Sequence, residues 1–219
     1  DNDAGTSVSA WVAGGYMGLL GDGTDAAIRD QTVTVAAADQ GDEHALRVVV
    51  ERGPVTLRVG TSTTDDSYIG ETELGTGTHS LAFTPTGNFN IRLMNRYDRQ
   101  TLVDSCSIEA SGAMTLPTPW TASDLDNIRG GLESQSVDVM FVACTGFTQR
   151  RIERRGNHSW SIIQYLPDNG PFRVENVGPI TLTGSALSGN ITVTASAALF
   201  QSTHAPSDDN AGALFKITS

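Results

Sequence analysis

The sequence predicts an all-β protein, an antiparallel, jelly-roll-like β-sandwich followed by a β-meander and hairpin unit. The first observation is that short runs of β-branched and aromatic residues recur along the chain, with turn residues between them. The second is the composition, because 23 glycines and a charged fraction of only 18% fit many short strands better than helices. The 219 residues can form one large β domain or two smaller ones.

The β-sandwich is predicted over residues 6–112. Its runs are spaced regularly, as in an antiparallel sandwich, and the glycine-rich stretch 14–23 is predicted to be a loop because it lacks a phosphate-binding lysine. Arg52-Gly53-Pro54 is typical of a hairpin turn. The predicted strands are 8–12, 32–35, 45–51, 55–59, 68–69, 79–83, 90–94 and 102–109.

Residues 113–125 are predicted to link this sandwich to a second unit over residues 126–219. Pro117 and Pro119 favour extended backbone, and Thr121 is placed to cap a short helical turn. The second unit is predicted to contain three strands joined by polar turns, then a hairpin and a last strand. These elements are 137–143, 150–155 and 160–165, then 179–183 with 190–194, then 213–217.

No motif for catalysis or zinc binding is present, so we predict that the protein is not an enzyme. There is no Gly-x-Ser-x-Gly turn, and the histidines lack the spacing of metal ligands. Each histidine is predicted to lie at the surface or in a turn: His44, His79, His158 and His204. Cys106 and Cys144 are predicted to be buried thiols of a reducing compartment, although a bridge between them stays an alternative.

The net charge of −11 argues against specific nucleic-acid binding, because phosphate recognition needs a basic surface. No run approaches about 18 consecutive apolar residues, so no membrane span is predicted. The first five residues are not typical of a signal peptide, and we expect the chain to be a piece of a longer protein or a processed product.

Acidic loops raise the alternative of a structural calcium ion. Asp1, Asp3, Asp22, Asp25 and Asp30 lie where the sandwich is predicted to open in loops, and Asp65 and Asp66 lie in a later loop. Calcium takes six to eight oxygen ligands. No EF-hand pattern is present, so solvated acidic loops are the other interpretation. Among these residues, the candidate metal ligands are Asp22, Asp25 and Asp30.

Exposed aromatic rings are the feature that glycan binding would require. Tyr68 and Tyr97 lie beside charged loop residues and are the candidates for stacking on a sugar. Trp11 and Phe89 lie in alternating apolar runs and are predicted to be core residues.

The run 150–155 is the one dense basic feature. Period-two alternation places Arg151 and Arg155 with Glu153 on one face and Arg150 and Arg154 with Ile152 on the other. One interpretation is a solvated face with cross-strand ion pairs. The other is a subunit contact through Arg150, Arg151, Arg154 and Arg155, because arginine is favoured in interfaces.

Residues 119–219 contain a series of short motifs, namely 135–139, 150–154, Ser159-Trp160, Gly170-Pro171-Phe172, Ser185-Ala186, 189–192, 195–200 and 212–215. With these motifs, residues 119–219 resemble a segment of the tail-nozzle proteins of short-tailed bacteriophages, the tail tubular protein B-like family. The acidic insertion 205–210 departs from the pattern. The resemblance implies a virion structural component of the phage tail, made in the bacterial cytoplasm. It also implies that identical subunits form a ring, sixfold by analogy, around the DNA exit channel and contact other tail proteins.

The first unit carries a second resemblance. The stretches 53–57, 76–83 and 103–108 are similar to the jelly-roll sandwiches of galactose-binding-like domains and carbohydrate-binding modules. This implies the alternative function of a carbohydrate-binding module or adhesin domain that binds surface glycans. A plain spacer domain is the third interpretation.

Overall fold

The computed structural model describes residues 1–130, 135–165, 178–186 and 191–197, and the chain forms two compact units. The first unit comprises residues 1–118 and 152–163, and the second comprises residues 119–151 and the chain from 164 onward. The predicted linker 113–125 contains the first passage between them. The predicted second unit differs, because Ile152–Ile163 belongs to the first unit.

Sixteen strands and two short 3-10 helices are described. The helices are Ala37–Asp39 and Ala122–Asn127. The strands are β1 (Val8–Val12), β2 (Tyr16–Leu20), β3 (Ala27–Val33), β4 (His44–Arg52), β5 (Val55–Gly60), β6 (Ile69–Leu74), β7 (Gly77–Phe83), β8 (Phe89–Asn95), β9 (Thr101–Ile108), β10 (Ile128–Arg129), β11 (Gln135–Ser136), β12 (Val139–Cys144), β13 (Arg150–Gly156), β14 (Ser159–Gln164), β15 (Leu182–Gly184) and β16 (Val193–Ala195). No helix in the described part of the chain is long and apolar enough to cross a membrane.

Strands β2 to β9 have the strand order of a jelly roll. One sheet has the order β2-β9-β4-β7 and the other the order β3-β8-β5-β6, with antiparallel pairing throughout. The chain changes sheet at every connection except the one between β5 and β6, so two Greek keys interleave. The predicted all-β sandwich is confirmed. Strand β1 extends the first sheet beside β2, and β14 followed by β13 extends it beside β7.

The core lies between the two sheets because the strands alternate apolar and polar side chains. In β4, Leu46, Val48 and Val50 are buried, whereas Arg47 and Val49 between them are partly exposed. Burial of each such side chain contributes about 1.5–3 kcal/mol. The remaining core residues are Met17, Leu19, Ala27, Val55, Leu57, Val59, Leu74, Leu81, Phe83, Phe89, Ile91, Leu93 and Val103.

Strand β2 corrects the prediction of a loop over the glycine-rich stretch 14–23. Met17 and Leu19 alternate into the core, and Gly18 lies between them on the opposite face. A Cβ atom on Gly18 would lie 2.9 Å from the Gln100 side chain and 2.9 Å from Val12. The glycine here accommodates close packing rather than a turn, which composition alone does not distinguish.

Among the aromatic residues, the prediction for Phe89 is confirmed and that for Trp11 is wrong. Phe89 is in the core, with its ring 5.1 Å from that of Phe83. Trp11 lies opposite Met17 in the pairing of β1 with β2, but it is 70% exposed. The alternation is correct, but β1 is the outermost strand of its sheet, so Trp11 extends past the core.

The hairpin of β13 and β14 pairs with the jelly roll through β7. The register joins Trp160 to Ser80, Ser161 to His79, Ile162 to Thr78 and Ile163 to Gly77. Ser161, Ile162 and Ile163 are buried by this pairing. A sequence pattern predicts the strand but not its partner, and for this reason the stretch is predicted as part of the second unit.

The described part of the second unit contains short strand pairs. Strands β10 and β11 both pair with β12, and the rings of Phe141 and Tyr165 lie 5.3 Å apart at 80°. Thr121 and Asp124 form the capping box of the 3-10 helix, as predicted for Thr121. The predicted hairpin after 179 is present as the shorter pair β15–β16. The predicted strand 213–217 and the stretch 170–172 lie outside the described residues.

Replacement of Gly77 by alanine tests how closely β14 lies on β7. A Cβ atom at Gly77 would lie 2.7 Å from Ile163 Cα and closer still to the Ile162 carbonyl oxygen, and the φ of Gly77 is 145°. We expect Gly77→Ala to lower the free energy of unfolding by about 3 kcal/mol. The measurement is urea denaturation at neutral pH.

Gly70→Ala in β6 is the matched control, because a Cβ atom there contacts nothing within 4 Å. It should change the free energy of unfolding by less than about 1 kcal/mol. Equal losses in the two variants would contradict the close packing of β14 on β7.

Candidate functional site

The carboxylate of Asp22, a predicted metal ligand, organises the loop around it. It accepts hydrogen bonds from the Thr6 backbone N–H and hydroxyl, both at 3.1 Å. Its other oxygen accepts from the backbone N–H groups of Thr24 at 3.0 Å and Asp25 at 2.6 Å. The backbone hydrogen bonds from Asp25, Thr6 and Thr24 lower the pKa of Asp22 to about 2. Local donors thus occupy both of its oxygens.

Asp30 lies within β3 and not in a loop, so its predicted location is wrong. Its carboxylate forms a two-pronged ion pair with Arg92 on the neighbouring strand β8, with Nη2 2.7 Å from Oδ2. The Asn2 side chain also donates to it. Burial opposes ionisation of Asp30, but the hydrogen bonds from Arg92 and Asn2 hold its pKa below the ordinary value.

Asp3, another of the acidic residues near the start of the chain, joins β1 to β3. Its carboxylate accepts from the Ser9 backbone N–H at 2.7 Å, the Ser9 hydroxyl at 2.8 Å and the Ile28 backbone N–H at 2.7 Å. Burial opposes its ionisation, but these hydrogen bonds, with Ile28 first, hold its pKa below the ordinary value. Arg29 donates to the Ser9 carbonyl at 2.7 Å. Both backbone polar groups of Ser9 are therefore bound to side chains.

The positions of these carboxylates do not support the calcium hypothesis. Within the described ranges, no group of three or more His, Cys, Asp or Glu side chains is placed to hold a metal ion. Asp22 and Asp30 bind protein donors, and Asp25 lies in the loop that Asp22 organises. The metal site at Asp22, Asp25 and Asp30 stays a prediction from sequence.

The two tyrosines predicted to stack on glycans lie in different environments. Tyr68 is half-buried and packs against Phe83 and Phe89 at 6.4 and 6.3 Å, and its hydroxyl accepts from the Thr86 N–H at 3.1 Å. Its predicted exposure is wrong, because a ring beside a polar loop can still pack on the core. Tyr97 is 45% exposed, as predicted.

The hydroxyl of Tyr97 donates to Glu73 at 3.0 Å, and the Arg99 guanidinium lies 5.0 Å from the ring centre. The hydrogen bond to Glu73 raises the pKa of Tyr97. The backbone N–H of Tyr97 donates to the buried Asn95, whose amide donates in turn to the Arg99 carbonyl. Tyr97 is thus a fixed, partly open ring with an acidic and a basic neighbour.

The arginines of β13 do not share one role. Arg155 donates to Ser161 at 2.8 Å, to Thr72 at 3.1 Å and to Glu153 at 3.1 Å, all within the first unit. Arg154, also in the first unit, is exposed. Arg150 and Arg151 are half-buried residues of the second unit. The guanidinium of Arg155 therefore binds side chains of the first unit. Among these four candidates, Arg154 is the exposed one.

A buried polar cluster formed by His79, Ser161 and Arg155 lies where β14 meets β7. His79 and Ser161 are both fully buried, with His79 Nδ1 2.8 Å from Ser161 Oγ and Nε2 2.9 Å from the Gly75 carbonyl oxygen. The Gly75 carbonyl can only accept, so Nε2 carries the proton and Nδ1 accepts from the Ser161 hydroxyl. Burial lowers the pKa of His79 to about 4, and the nearby Arg155 charge acts in the same direction.

This serine–histidine contact does not form an accessible catalytic site, because neither side chain reaches solvent. The predicted surface positions of His44 and His79 are wrong, since both are buried, whereas His158 lies in an exposed turn. The alternation of β7 could have predicted the burial of His79, because His79, Leu81 and Phe83 share the inward face. His204 lies outside the described residues.

The two cysteines are free thiols. Cys144 is buried, as predicted, and Cys106 is exposed, contrary to the prediction. Cys106 lies in the later part of β9, beyond Val103, where the side chains leave the core.

Acid should destabilise the protein through His79. The pKa of His79 is about 4 in the folded chain and near 6.5 in the unfolded chain, so the unfolded chain takes up a proton first as the pH falls. The stabilisation is fully present above pH 6.5 and is lost between pH 6.5 and 4. We expect a loss of about 3 kcal/mol in the free energy of unfolding over this range.

Urea denaturation at several pH values measures this loss, with His79→Gln as the comparison. The variant should be less stable at neutral pH and should show a flatter dependence on pH between 6.5 and 4.5. An unchanged slope in His79→Gln would contradict the assignment.

Removal of the Asp3 carboxylate should loosen the N-terminal segment. We expect Asp3→Ala to lower the free energy of unfolding by about 2 kcal/mol, because three buried or half-buried donors lose their acceptor. Hydrogen exchange should also become faster at the amides of Ser9 and Ile28. Asp42→Ala removes an exposed acidic residue as a control, and an equal effect there would contradict a specific role for Asp3.

Comparison with protein-family models, with curated protein sequences and with solved structures found no match for this chain. The resemblance of residues 119–219 to tail-nozzle proteins therefore stays a prediction from sequence. The same holds for the resemblance of the first unit to carbohydrate-binding modules.

Proposed function

We propose that this chain is a non-enzymatic structural component of a larger assembly, namely part of the tail nozzle of a short-tailed phage. Copies of the chain would form a ring, sixfold by analogy, around the DNA exit channel of the virion and contact other tail proteins. The resemblance of residues 119–219 suggests the identity of the assembly. The way in which the jelly roll is built adds structural support.

The observation that supports this proposal is the non-contiguous first unit. The jelly roll of β2 to β9 is extended by the β13–β14 hairpin, which the chain reaches only after residues 119–151. A transferable binding module is normally one contiguous segment with its own core. Here a segment that ends at 118 lacks Ser161, which contacts the fully buried His79, and Arg155, which donates to Ser161. The sandwich is therefore formed by two separate segments of this β-rich chain, residues 1–118 and 152–163.

The polar side chains of the first unit also serve the fold. Asp3, Asp22 and Asp30 bind backbone or arginine donors, and the buried His79 contacts Ser161. A structural protein uses its charged groups in this way, whereas an enzyme needs such groups at a surface that substrate can reach.

Glycan binding is the second candidate, favoured by one observation. Tyr97 presents a 45% exposed ring beside Glu73 and Arg99, a combination that stacks on a sugar ring and binds its hydroxyl groups. An adhesin would remain a monomer and bind a glycan array. Tyr97→Ala would then abolish binding, and Trp11→Ala would control for loss of a different exposed ring.

The structural proposal predicts concentration-dependent assembly of the full chain. We expect mass photometry to detect a ring-sized species, and Arg154→Glu to weaken its formation by about tenfold or more, because reversing an exposed charge in a contact is unfavourable. Arg96→Glu, at an exposed loop position, is the matched control. A monomer at every concentration that binds glycans would replace this proposal by the adhesin.

A further inference from the structure

The jelly roll leaves one strand edge for the hairpin. Strand β7 is the last strand of the sheet β2-β9-β4-β7, so without β14 one side of β7 has no backbone partner. We call residues 77–80 of β7 the β7 edge. Strand β14 pairs with this edge in an antiparallel register. An open edge of this kind binds any strand that fits it.

The β7 edge is specific for the hairpin that lies on it. Gly77 lets the Ile162 carbonyl and Ile163 approach closer than any side chain would allow. Ser161 pairs with His79 in register and also contacts it through Oγ and Nδ1. A shift of one residue would move Ser161 to the other face, break this contact and place an apolar side chain against His79.

Three contacts join the hairpin to distant parts of the chain. Glu43 contacts His158, Thr72 contacts Arg155, and the Ala82 backbone N–H donates to Ser159. The chain reaches the hairpin only by leaving the first unit after 118 and returning at 152. Nothing in these contacts requires that the hairpin and the β7 edge belong to the same copy.

We propose that, in the assembled protein, the β13–β14 hairpin of one copy pairs with the β7 edge of the next copy. This inference rests on the proposed function and adds how the subunits are joined. The exchanged form keeps every contact described above, so its free energy differs from that of the closed monomer mainly through the connecting segments and the protein concentration. The segment 116–120, which lies outside the strands and helices and has prolines at 117 and 119, is a suitable hinge.

Exchange of this kind joins unlike surfaces. Each copy donates a hairpin and accepts one, so the contact is heterologous and forms a closed ring when the rotation between copies closes. It therefore supplies the contact that a ring of identical subunits requires. A symmetric dimer in which two copies swap hairpins is the smallest closed form.

A disulfide between β7 and β14 distinguishes the two arrangements in the full-length chain. The variant carries Ser80→Cys and Trp160→Cys, which are direct cross-strand partners, with Cys106→Ser and Cys144→Ser to remove the native thiols. Paired positions on adjacent antiparallel strands lie within the Cα separation of a disulfide. Monomeric and assembled fractions are separated, oxidised and run on a denaturing gel without reductant.

We expect the assembled fraction to give covalent dimers and higher multimers, and the monomeric fraction to give a chain closed on itself. The single variant Ser80→Cys should give no multimers beyond dimers. Thr78→Cys with Ile162→Cys, the next pair on the same face, is the second variant if the first does not fold. Assembled protein that carries only intrachain disulfides would overturn hairpin exchange and leave the ring intact. A chain that stays monomeric at every concentration would overturn both.

Discussion

The pairing of β14 with β7 is the interaction on which the architecture of the first unit depends. It extends the jelly-roll sheet past β7, buries Ile162 and Ile163, and supplies the hydrogen-bond partner of His79 Nδ1. A buried neutral histidine without partners would cost about 1–3 kcal/mol for each unsatisfied group. The pairing therefore satisfies His79, which would otherwise destabilise β7. It also makes residues 152–163 part of the first unit.

The acidic composition of the chain has a structural explanation in the loops. Asp22 and Asp65 each accept several hydrogen bonds from nearby backbone and hydroxyl donors, and these lower the pKa of both to about 2. Asp124 caps the 3-10 helix with Thr121, and Glu109 binds Thr115 and Arg47. Part of the negative charge thus organises turns in an all-β chain whose strands are short.

Much of the fold follows from the sequence, because periodicity and turn residues are local properties. The alternation in β4 and the three strands of the region 137–165 are both predicted and observed. The partner of each strand is a long-range property that a single sequence does not encode visibly. The assignment of Ile152–Ile163 to the first unit, and the choice of Ser161 as the partner of His79, could not be predicted for that reason.

The candidate site residues show the same limit at the level of side chains. Carboxylates in a run of loops suit calcium as well as they suit backbone N–H donors, and only the folded structure shows that Asp22 and Asp30 bind donors of the protein itself. A tyrosine beside charged residues is as compatible with Tyr68 on the core as with Tyr97 in solvent. The type of a residue limits which partners its side chain can bind, and packing determines which of those partners it contacts.

The polar character of the contact between β7 and β14 also determines what the hairpin can do. An apolar strand would bind the β7 edge in several registers, because burial of surface has little directional preference. The pair of His79 and Ser161, with Arg155 beside it, is satisfied in one register only. Gly77 excludes strands that cannot approach closely. Such an edge selects its own hairpin whether that hairpin comes from the same chain or from an identical neighbour, and this selectivity is what an ordered assembly of many copies requires.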